Sequence, residues 1–493
     1  MENLYKTFKT NKKLGIQQIA DFFIHQYNVK TIKEAAPEMY YYDKGIYIRA
    51  EQKIETELSK LLEEDYSINH KREVINQIWS KSYTNRRDFI VDKWLINLNN
   101  GVFDLRTGLF TDHDYQNLFF TKIATDYDPN ATCEKIDKFL MQLLPLEDVM
   151  IIKEWFGYCL FRDYFIKKAL IMTGEPDTGK TTVIDLFVQL IGLENISGVS
   201  LQQMAGDKFS ITDLYNRHVN IYDDMSAQDV KDGGRFKMVT GRSPISAEYK
   251  YGNRFNFYNF AKMTFACNRI PNVQDNDDDA YFERWIIIKF LRVVTNPNKF
   301  LLESIATPDQ LSGLLNSMLD NLNRILTNQK FTYIKNHEEI KAEMLRSGSV
   351  VASYAYDCVE ESIGSWISKG DLHFYFTQYA NLYNLPYVEI KKFGKELVKY
   401  ARYATEGRHQ NRKGWNNIKI NEDFKQKFID AGLAEDIQDV VQPIRPTEVE
   451  VLDEKNIRPV SRSQATCPAD EKTEAKTDSE EDRLLRERFE EVV

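Results

Sequence analysis

The chain has 493 residues, 42% of them hydrophobic and 13% aromatic, and a formal net charge of −9 at pH 7. This length predicts about three domains at ~100–200 residues each, and the apolar content is that of a folded protein with large cores. The charge does not exclude nucleic acid as a partner, because residues 435–493 hold 9 basic and 17 acidic residues, a net −8 that leaves −1 for the rest.

The opening MENLYKTFKTNKKLG has no apolar segment of the kind that a secretory signal needs, and no run of ~18 apolar residues follows it. These features argue against a secreted or membrane-spanning protein, so we expect a soluble, cytoplasmic one. The five cysteines are odd in number, far apart and without a C-x-x-C pair, which indicates neither a disulfide framework nor a zinc site.

Residues 1–130 are predicted to form an α+β domain. A helical pattern is followed by two hairpins, one in YYYDKGIYI with a turn at Asp43-Lys44-Gly45 and one in GVFDLRTGLF with a turn near Gly108. Residues 131–166 are then predicted to be helical, in KIDKFLMQLL and VMIIKEWFGYCLF, and lead directly into the next domain.

The segment KKALIMTGEPDTGKTTVIDLFVQLIG has an apolar strand, a glycine loop and a helix in succession. Such a loop presents backbone N–H groups and the positive end of the helix dipole to phosphates. Gly174 and Gly179 let the backbone wrap closely around a triphosphate, Lys180 is expected to reach its β- and γ-phosphates, and the Thr181 hydroxyl is expected to bind Mg²⁺. The pattern therefore predicts an ATP site.

Three further segments supply residues that an ATPase needs. HVNIYDD ends in Asp223, a candidate metal ligand, and Asp224, a candidate activator of water, although both could be solvated loop carboxylates. KMTFACNRIP ends in Asn268, which either orients the attacking water or caps a turn before proline. FERW contains Arg284, which either stabilises transition-state charge in a neighbouring subunit or forms a surface ion pair.

Residues 167–290 contain these motifs in the order and compact spacing of superfamily 3 helicases, the AAA+ motors of small DNA viruses, poxviruses, phages and plasmids, which they resemble. Walker A is GEPDTGKT, Walker B is IYDD, B-prime is KMVTGRSPISAEYKYGNRFNF, motif C is TFACNRIP and the arginine finger is in FERW. The preceding region, with LNNGVFDLRTGLFTDHD, resembles the domain found before the motor in phage, plasmid and poxvirus primase-helicases.

The resemblance implies a motor over residues 167–345, a helical collar over 131–166 and a homo-oligomeric ring, expected to be a hexamer, that uses ATP and Mg²⁺. Lys180, Asp224, Asn268 and Arg284 would be catalytic, and Thr181 and Asp223 would hold the metal. The nucleotide would be bound by Gly174, Thr178, Gly179, Lys180, Thr181 and Thr182. Phage members usually have glycine or asparagine in the loop where this sequence has Asp177 and Thr178. This difference bears on the assignment to a subfamily and leaves the prediction of phosphate binding unchanged.

The resemblance also implies DNA contacts in the ring channel. Lys250 and Tyr251 in EYKYGNRF match the tip of the channel hairpin, where a basic side chain suits phosphate, although a lysine at a hairpin tip is more often only solvated. Lys167 and Lys168 match a position from which some relatives direct a lysine into the neighbouring nucleotide site, and a solvated strand edge is an equal alternative.

Residues 346–434 resemble the winged-helix domain of related replication proteins, which suits duplex DNA. The DNA contacts expected in the winged-helix domain are Lys391, Lys392 and Lys395 on the recognition helix and Arg408, Arg412 and Lys413 in the wing. The alternative is that these basic side chains form a face that contacts only solvent.

The tail, residues 435–493, is acidic, poor in aromatics and predicted to be largely disordered.

The sequence thus predicts an α/β protein with an AAA+ P-loop motor, an α+β N-terminal domain and a C-terminal winged-helix-like domain. The predicted activity is ATP-dependent unwinding of single-stranded and forked DNA at replication initiation, with duplex origin DNA bound by the C-terminal domain and a separate primase as a candidate partner. The alternative is a sequence-specific DNA-binding protein whose ATPase is an assembly switch. Asp112 and Asp114 form a D-x-D pair, but a primase site would need a longer fold of its own.

Overall fold

The structure, a computed structural model, describes residues 2–33, 37–89, 91–207, 209–225, 233–248, 254–271, 279–383 and 385–430. The helices in these ranges are α1 (Glu2–Thr10), α2 (Lys12–Tyr27), α3 (Glu51–Leu62), α4 (Ile68–Ser82), α5 (Glu134–Leu143), α6 (Leu146–Leu160), α7 (Lys180–Ile191), α8 (Leu201–Gly206), α9 (Gly234–Val239), α10 (Asp279–Phe282), α11 (Leu301–Ile305), α12 (Pro308–Asn328), α13 (His337–Gly348), α14 (Val350–Cys358), α15 (Lys369–Leu382), α16 (Ile390–Tyr400) and α17 (Glu422–Asp430). Of these helices, none combines the length and apolar character required to cross a bilayer.

The strands in the same ranges are β1 (Lys30–Ile32), β2 (Glu38–Asp43), β3 (Ile46–Arg49), β4 (Tyr83–Thr84), β5 (Leu95–Leu98), β6 (Gly101–Asp104), β7 (Phe110–Thr111), β8 (Ala169–Thr173), β9 (Ile196–Ser197), β10 (Val219–Tyr222), β11 (Pro244–Glu248), β12 (Arg254–Tyr258), β13 (Lys262–Cys267), β14 (Trp285–Lys289), β15 (Val359–Ser368), β16 (Thr405–His409) and β17 (Arg412–Ile420). Helices and a parallel sheet occur together, so the predicted α/β class is confirmed.

Two small sheets lie among the N-terminal helices. The first has the strand order β3-β2-β1-β4, and the second has the order β5-β6-β7. Both predicted hairpins are present. In the β2–β3 hairpin, Asp43 faces Ile46 and the turn passes through Gly45 at φ 91°, whereas the β6–β7 hairpin turns through Gly108 at φ 69°. Glycine adopts such left-handed angles without strain, which explains why the turns occur at these residues.

The helical stretch before the glycine loop is divided into α5 and α6, and it ends at Leu160, earlier than predicted. Two side chains contact carbonyls at this end of the helix, one in the last turn of α6 and one on Phe161, directly after it. His218 Nδ1 lies 3.0 Å from the Cys159 oxygen, and Lys262 Nζ lies 2.6 Å from the Phe161 oxygen. Because helix-end carbonyls need donors from outside the helix, these contacts stabilise the early end of α6.

The central sheet is parallel and has the strand order β14-β8-β13-β10-β9. Strand β8 pairs with β13 on one side and β14 on the other, and all five of its residues are buried. A continuous apolar strand is typical of such a central position, since both of its faces are covered. The carboxyl ends of β8, β10 and β13 therefore meet at one edge of the sheet.

The C-terminal residues form a separate three-stranded antiparallel sheet with the order β15-β17-β16. In chain order the elements are α14, β15, α15, α16, β16 and β17, with a two-residue turn at Gln410 and Asn411. Phe393 and Leu397 of α16 are buried in the same core as Trp415. The opposite face of α16 is therefore the one that faces outward.

Candidate nucleotide-binding site

The loop from Gly174 to Gly179 joins the central strand β8 to helix α7. A Cβ at Gly174 would collide with the carbonyl of Phe290, and Gly179 has φ 89° at the residue before α7. Both positions thus require glycine, one for close backbone approach and one for a left-handed conformation. The first turn of α7 presents its free N–H groups to this loop, which is the arrangement that binds phosphate.

Lys180 begins α7, and its side chain is buried within the loop. Its Nζ donates to the Gly174 oxygen at 2.7 Å, to the Glu175 oxygen at 2.8 Å and to Thr178 Oγ1 at 3.3 Å. Burial lowers the pKa of Lys180, and the charge of nearby Asp223 opposes that shift. The loop therefore holds the ammonium group beside the cavity that Lys180 lines.

Thr181 and Asp223 meet at the carboxyl edge of the parallel sheet. Thr181 Oγ1 donates to Asp223 Oδ2 at 3.0 Å, and Asp223 follows directly after β10. The backbone N–H of Asp224 donates to Asp223 Oδ1 at 2.9 Å, with Asp224 in a left-handed conformation at φ 58°. A threonine hydroxyl and one carboxylate fit Mg²⁺, which takes few protein ligands together with phosphate oxygens and water.

A cavity of about 300 Å³ lies at this edge. Asn268, which is exposed, follows directly after β13 and forms part of the wall. The cavity is lined by Pro176, Asp177, Thr178, Gly179, Lys180, Thr181, Thr182, Asp223, Asp224, Cys267 and Asn268. The structure thus brings the predicted loop residues, both aspartates and the asparagine together.

An adjoining cavity of about 740 Å³ shares Thr178 and Asn268 with the first. Its far wall includes Glu343 of α13, which pairs with Lys289 at 3.0 Å and with Lys335 at 2.8 Å. Sequence reasoning missed these three residues. The signal for Lys289 was its position at the carboxyl end of a parallel strand, where ligands bind in open α/β sheets.

Arg284 lies at the opposite edge of the sheet from the loop. Its carbonyl accepts a hydrogen bond from the backbone N–H of Ala169, the first residue of β8, whereas the loop follows the last residue of that strand. Five residues at ~3.3 Å each separate the two edges by roughly 16 Å. The Arg284 Nε donates to Thr240 Oγ1 at 2.9 Å. The structure therefore does not bring Arg284 to the glycine loop of its own chain.

The predicted DNA contacts divide into two groups. Lys250 and Tyr251 lie outside the described residues, between β11 and β12 in the sequence. The C-terminal candidates all have exposed side chains, on α16 or in the β16–β17 hairpin, and they are Lys391, Lys392, Lys395, Arg408, Arg412 and Lys413.

Two parts of the chain match known families. Residues 4–145 match the family described as D5 N terminal like, and residues 172–284 match a family of unknown function, DUF5906. The second match begins in β8 and ends at Arg284, so it spans the glycine loop, both aspartates and Asn268. The predicted resemblance to viral and phage primase-helicases is confirmed.

One similar protein is "Putative helicase L207/L206" of Acanthamoeba polyphaga mimivirus, which is 25% identical over 240 residues. The alignment covers 45% of this chain and 23% of the mimivirus protein, so the chain spans about a quarter of that relative's length. Two apo structures of the NrS-1 C terminal region have a TM-score of 0.43 and 0.42. They are 11% and 12% identical, and each comparison covers 82% of this chain and 99% of the other.

Proposed function

We propose that this chain is an ATP-dependent, ring-forming DNA helicase of superfamily 3, with an AAA+ P-loop motor, that initiates replication of a phage, plasmid or related mobile element. The observation that supports it best is the contact between Thr181 and Asp223 beside the buried Lys180. A phosphate loop alone is a common feature, but a metal-binding pair at its side is what hydrolysis of a triphosphate needs.

The roles of the residues follow from their positions. Lys180 exchanges its loop carbonyl partners for β- and γ-phosphate oxygens, and the N–H groups of the first turn of α7 bind the same oxygens. Thr181 and Asp223 would hold Mg²⁺, which would supply the positive charge that neutralises the phosphates. Asp224 accepts the proton of the attacking water, and Asn268 orients that water from the wall of the same cavity.

The neighbouring subunit completes the site. Arg284 is too far from its own loop to contact a γ-phosphate there, so it acts on the site of the adjacent subunit in the ring. Lys168 lies at the same edge and donates to the Glu283 carbonyl, and burial lowers its pKa. Both side chains present positive charge at one edge of the sheet, which is what a composite ATP site requires.

DNA is bound at two places. The β11–β12 hairpin bears Lys250 and Tyr251 and contacts backbone phosphates in the ring channel. The element order from α14 to β17 (residues 350–420, here the C-terminal unit) supports a winged helix, and the exposed basic residues on α16 and the β16–β17 hairpin bind duplex origin DNA. A separate primase would synthesise primers on the unwound strand.

Displacement of a labelled strand from a DNA fork tests this function. We expect displacement with ATP and Mg²⁺, and none with the Asp224→Asn protein, which keeps the fold and the nucleotide pocket. A protein that hydrolyses ATP and binds duplex DNA without displacing a strand would instead support an assembly switch, for which the separate basic surface of the C-terminal unit provides the DNA contact.

A further inference from the structure

A second cavity, of about 310 Å³, lies between the N-terminal region and the β11–β12 hairpin. It shares no lining residue with the two cavities at the glycine loop. Its wall contains Arg86, Arg87 and Arg162 and six aromatic side chains, and no acidic residue is among the described residues that line it. This volume is enough for a small ligand or one unit of a polymer.

Arg162 has a charge with no partner among the described residues. Its guanidinium lies 4.6 Å from the centroid of the Phe119 ring, and its Nε is buried without a hydrogen-bond acceptor in the same part of the chain. The adjacent Asp163 is bound by Arg242 and Lys93 instead. Burial lowers the pKa of Arg162 to about 10, so the group is still charged at neutral pH. A half-buried charge with one buried and unbonded N–H group is costly, and an anion in the cavity would compensate it.

The other two arginines differ in how firmly they are held. Arg86 donates to Glu38 at 2.9 Å and to the Tyr215 hydroxyl at 3.3 Å, so its position is fixed. The Arg87 side chain is 81% exposed, and its nearest carboxylate, on Asp88, is 4.0 Å away. Arg87 can therefore turn toward a ligand at the cavity mouth while Arg162 binds deeper inside.

The aromatic residues provide flat surfaces for a planar group. Phe89 and Phe120 stack with their centroids 4.7 Å apart, and Phe257 and Phe260 lie elsewhere in the wall. Tyr258 of β12 is 65% exposed, although aromatic side chains are usually more buried. An exposed ring beside an exposed arginine gives a ligand contacts that continue outside the cavity.

We propose that this arginine and aromatic pocket binds single-stranded DNA, with one base among the aromatic rings and an adjacent phosphate on Arg162. Base stacking on aromatic rings combined with arginine contacts to the backbone is the chemistry by which single strands are bound without sequence preference. The contacts at Tyr258 and Arg87 favour a strand over a free nucleotide, because a strand continues beyond the pocket. The pocket lies at the base of the β11–β12 hairpin, and in the ring of the proposed function, on which this step rests, it would hold a strand close to the channel.

Binding of a labelled oligothymidylate to the full-length protein without nucleotide tests the proposal. Arg162→Met should weaken binding about tenfold and reduce the log–log salt slope by about 0.7, the contribution of one phosphate contact on a single strand. Tyr258→Thr should weaken binding about tenfold with an unchanged salt slope, because it removes stacking only. Arg72→Met makes the same chemical change at an exposed site on α4, outside the cavity, and should bind as the wild type does.

Thermal unfolding separates binding from folding. Arg162→Met should unfold at the wild-type temperature or above it, since it removes a half-buried charge that has no ion-pair partner among the described residues. Wild-type affinity and salt slope in Arg162→Met would overturn the proposal, as would a free deoxynucleotide that competes as well as the oligonucleotide does. The proposed helicase function is judged separately, by ATP hydrolysis and fork unwinding, so either idea can fail while the other stands.

Discussion

The hydroxyl of Thr181 donates a 3.0 Å hydrogen bond to the carboxylate of Asp223, across a separation of 42 residues in the chain. The contact forms because β8 and β10 lie on either side of β13 and end at the same edge of the sheet. Strand topology, and not sequence proximity, thus assembles the two candidate magnesium ligands beside Lys180.

Lys180→Ala should reduce ATP hydrolysis by about 10²–10³-fold, because it removes a positive charge that stabilises the developing charge on the phosphates. Folding should be preserved, since the buried ammonium group contributes mainly hydrogen bonds to its own loop. Steady-state phosphate release measures the effect. Lys13→Ala, at an exposed site on α2, is the matched control and should hydrolyse ATP at the wild-type rate.

Replacement of Asp223 and replacement of Asp224 should have different effects on nucleotide binding and hydrolysis. Asp223→Asn should lose the magnesium dependence of nucleotide binding, because it weakens the metal ligand that Thr181 contacts. Asp224→Asn should bind nucleotide normally and lose hydrolysis, and asparagine tolerates the left-handed conformation found at this residue. Titration with a fluorescent ATP analogue at several magnesium concentrations distinguishes them. Identical binding curves for both variants would show that the roles are wrongly divided.

The glycine loop, the aspartates and Asn268 were predictable from the sequence because each is marked by a local pattern: a strand followed by particular polar residues. The larger cavity was not. Its wall depends on α13, where Glu343 pairs with Lys289 from a strand that ends 48 residues before α13 begins. No local pattern specifies that contact, since it depends on how the chain returns to the sheet.

The end of α6 shows the same limit. The helical stretch was predicted to continue to residue 166, but His218 and Lys262 contact the Cys159 and Phe161 carbonyls from positions 59 and 101 residues further along the chain. The two hairpins, by contrast, were predicted correctly, since Gly45 and Gly108 specify their turns locally. The roles of Lys250 and Tyr251 in DNA binding are still predictions.

His218 should make the protein sensitive to acid. Burial, and then the charge of Arg162, lowers the pKa of His218 from 6.5 to about 3. As the pH falls, the imidazole is protonated in the unfolded chain before it is protonated in the folded one. Neutral His218 therefore contributes its full share to the free energy of unfolding above pH 6.5, and this contribution is lost as the pH falls toward 3. His218→Asn keeps a donor for the Cys159 carbonyl without the titration. Urea unfolding should show the wild type losing up to ~1.4 kcal/mol more per pH unit than the variant between about pH 6 and pH 4. Equal losses of unfolding free energy in the two proteins would contradict the assignment of this pH dependence to His218.

The basic face of α16 should bind duplex DNA independently of the motor. Replacing Lys391, Lys392 and Lys395 together with glutamine should weaken duplex binding and lower the log–log salt slope by about 0.9 for each phosphate that these lysines neutralise in the wild type. ATP hydrolysis without DNA should be unchanged. The same replacement at three exposed lysines on α1 and α2, Lys6, Lys12 and Lys13, is the control. Equal weakening in both proteins would indicate a nonspecific effect of net charge.

We propose that ATP is hydrolysed at a site completed by a neighbouring subunit, and mixing two inactive proteins tests this most directly. Lys180→Ala has a defective loop and an intact arginine, whereas Arg284→Ala has an intact loop and no arginine. After subunit exchange, the mixture should regain part of the wild-type ATPase activity at interfaces where an intact loop meets an intact Arg284. A mixture that exchanges subunits, as shown by energy transfer between labelled proteins, and remains as inactive as each parent would contradict the claim.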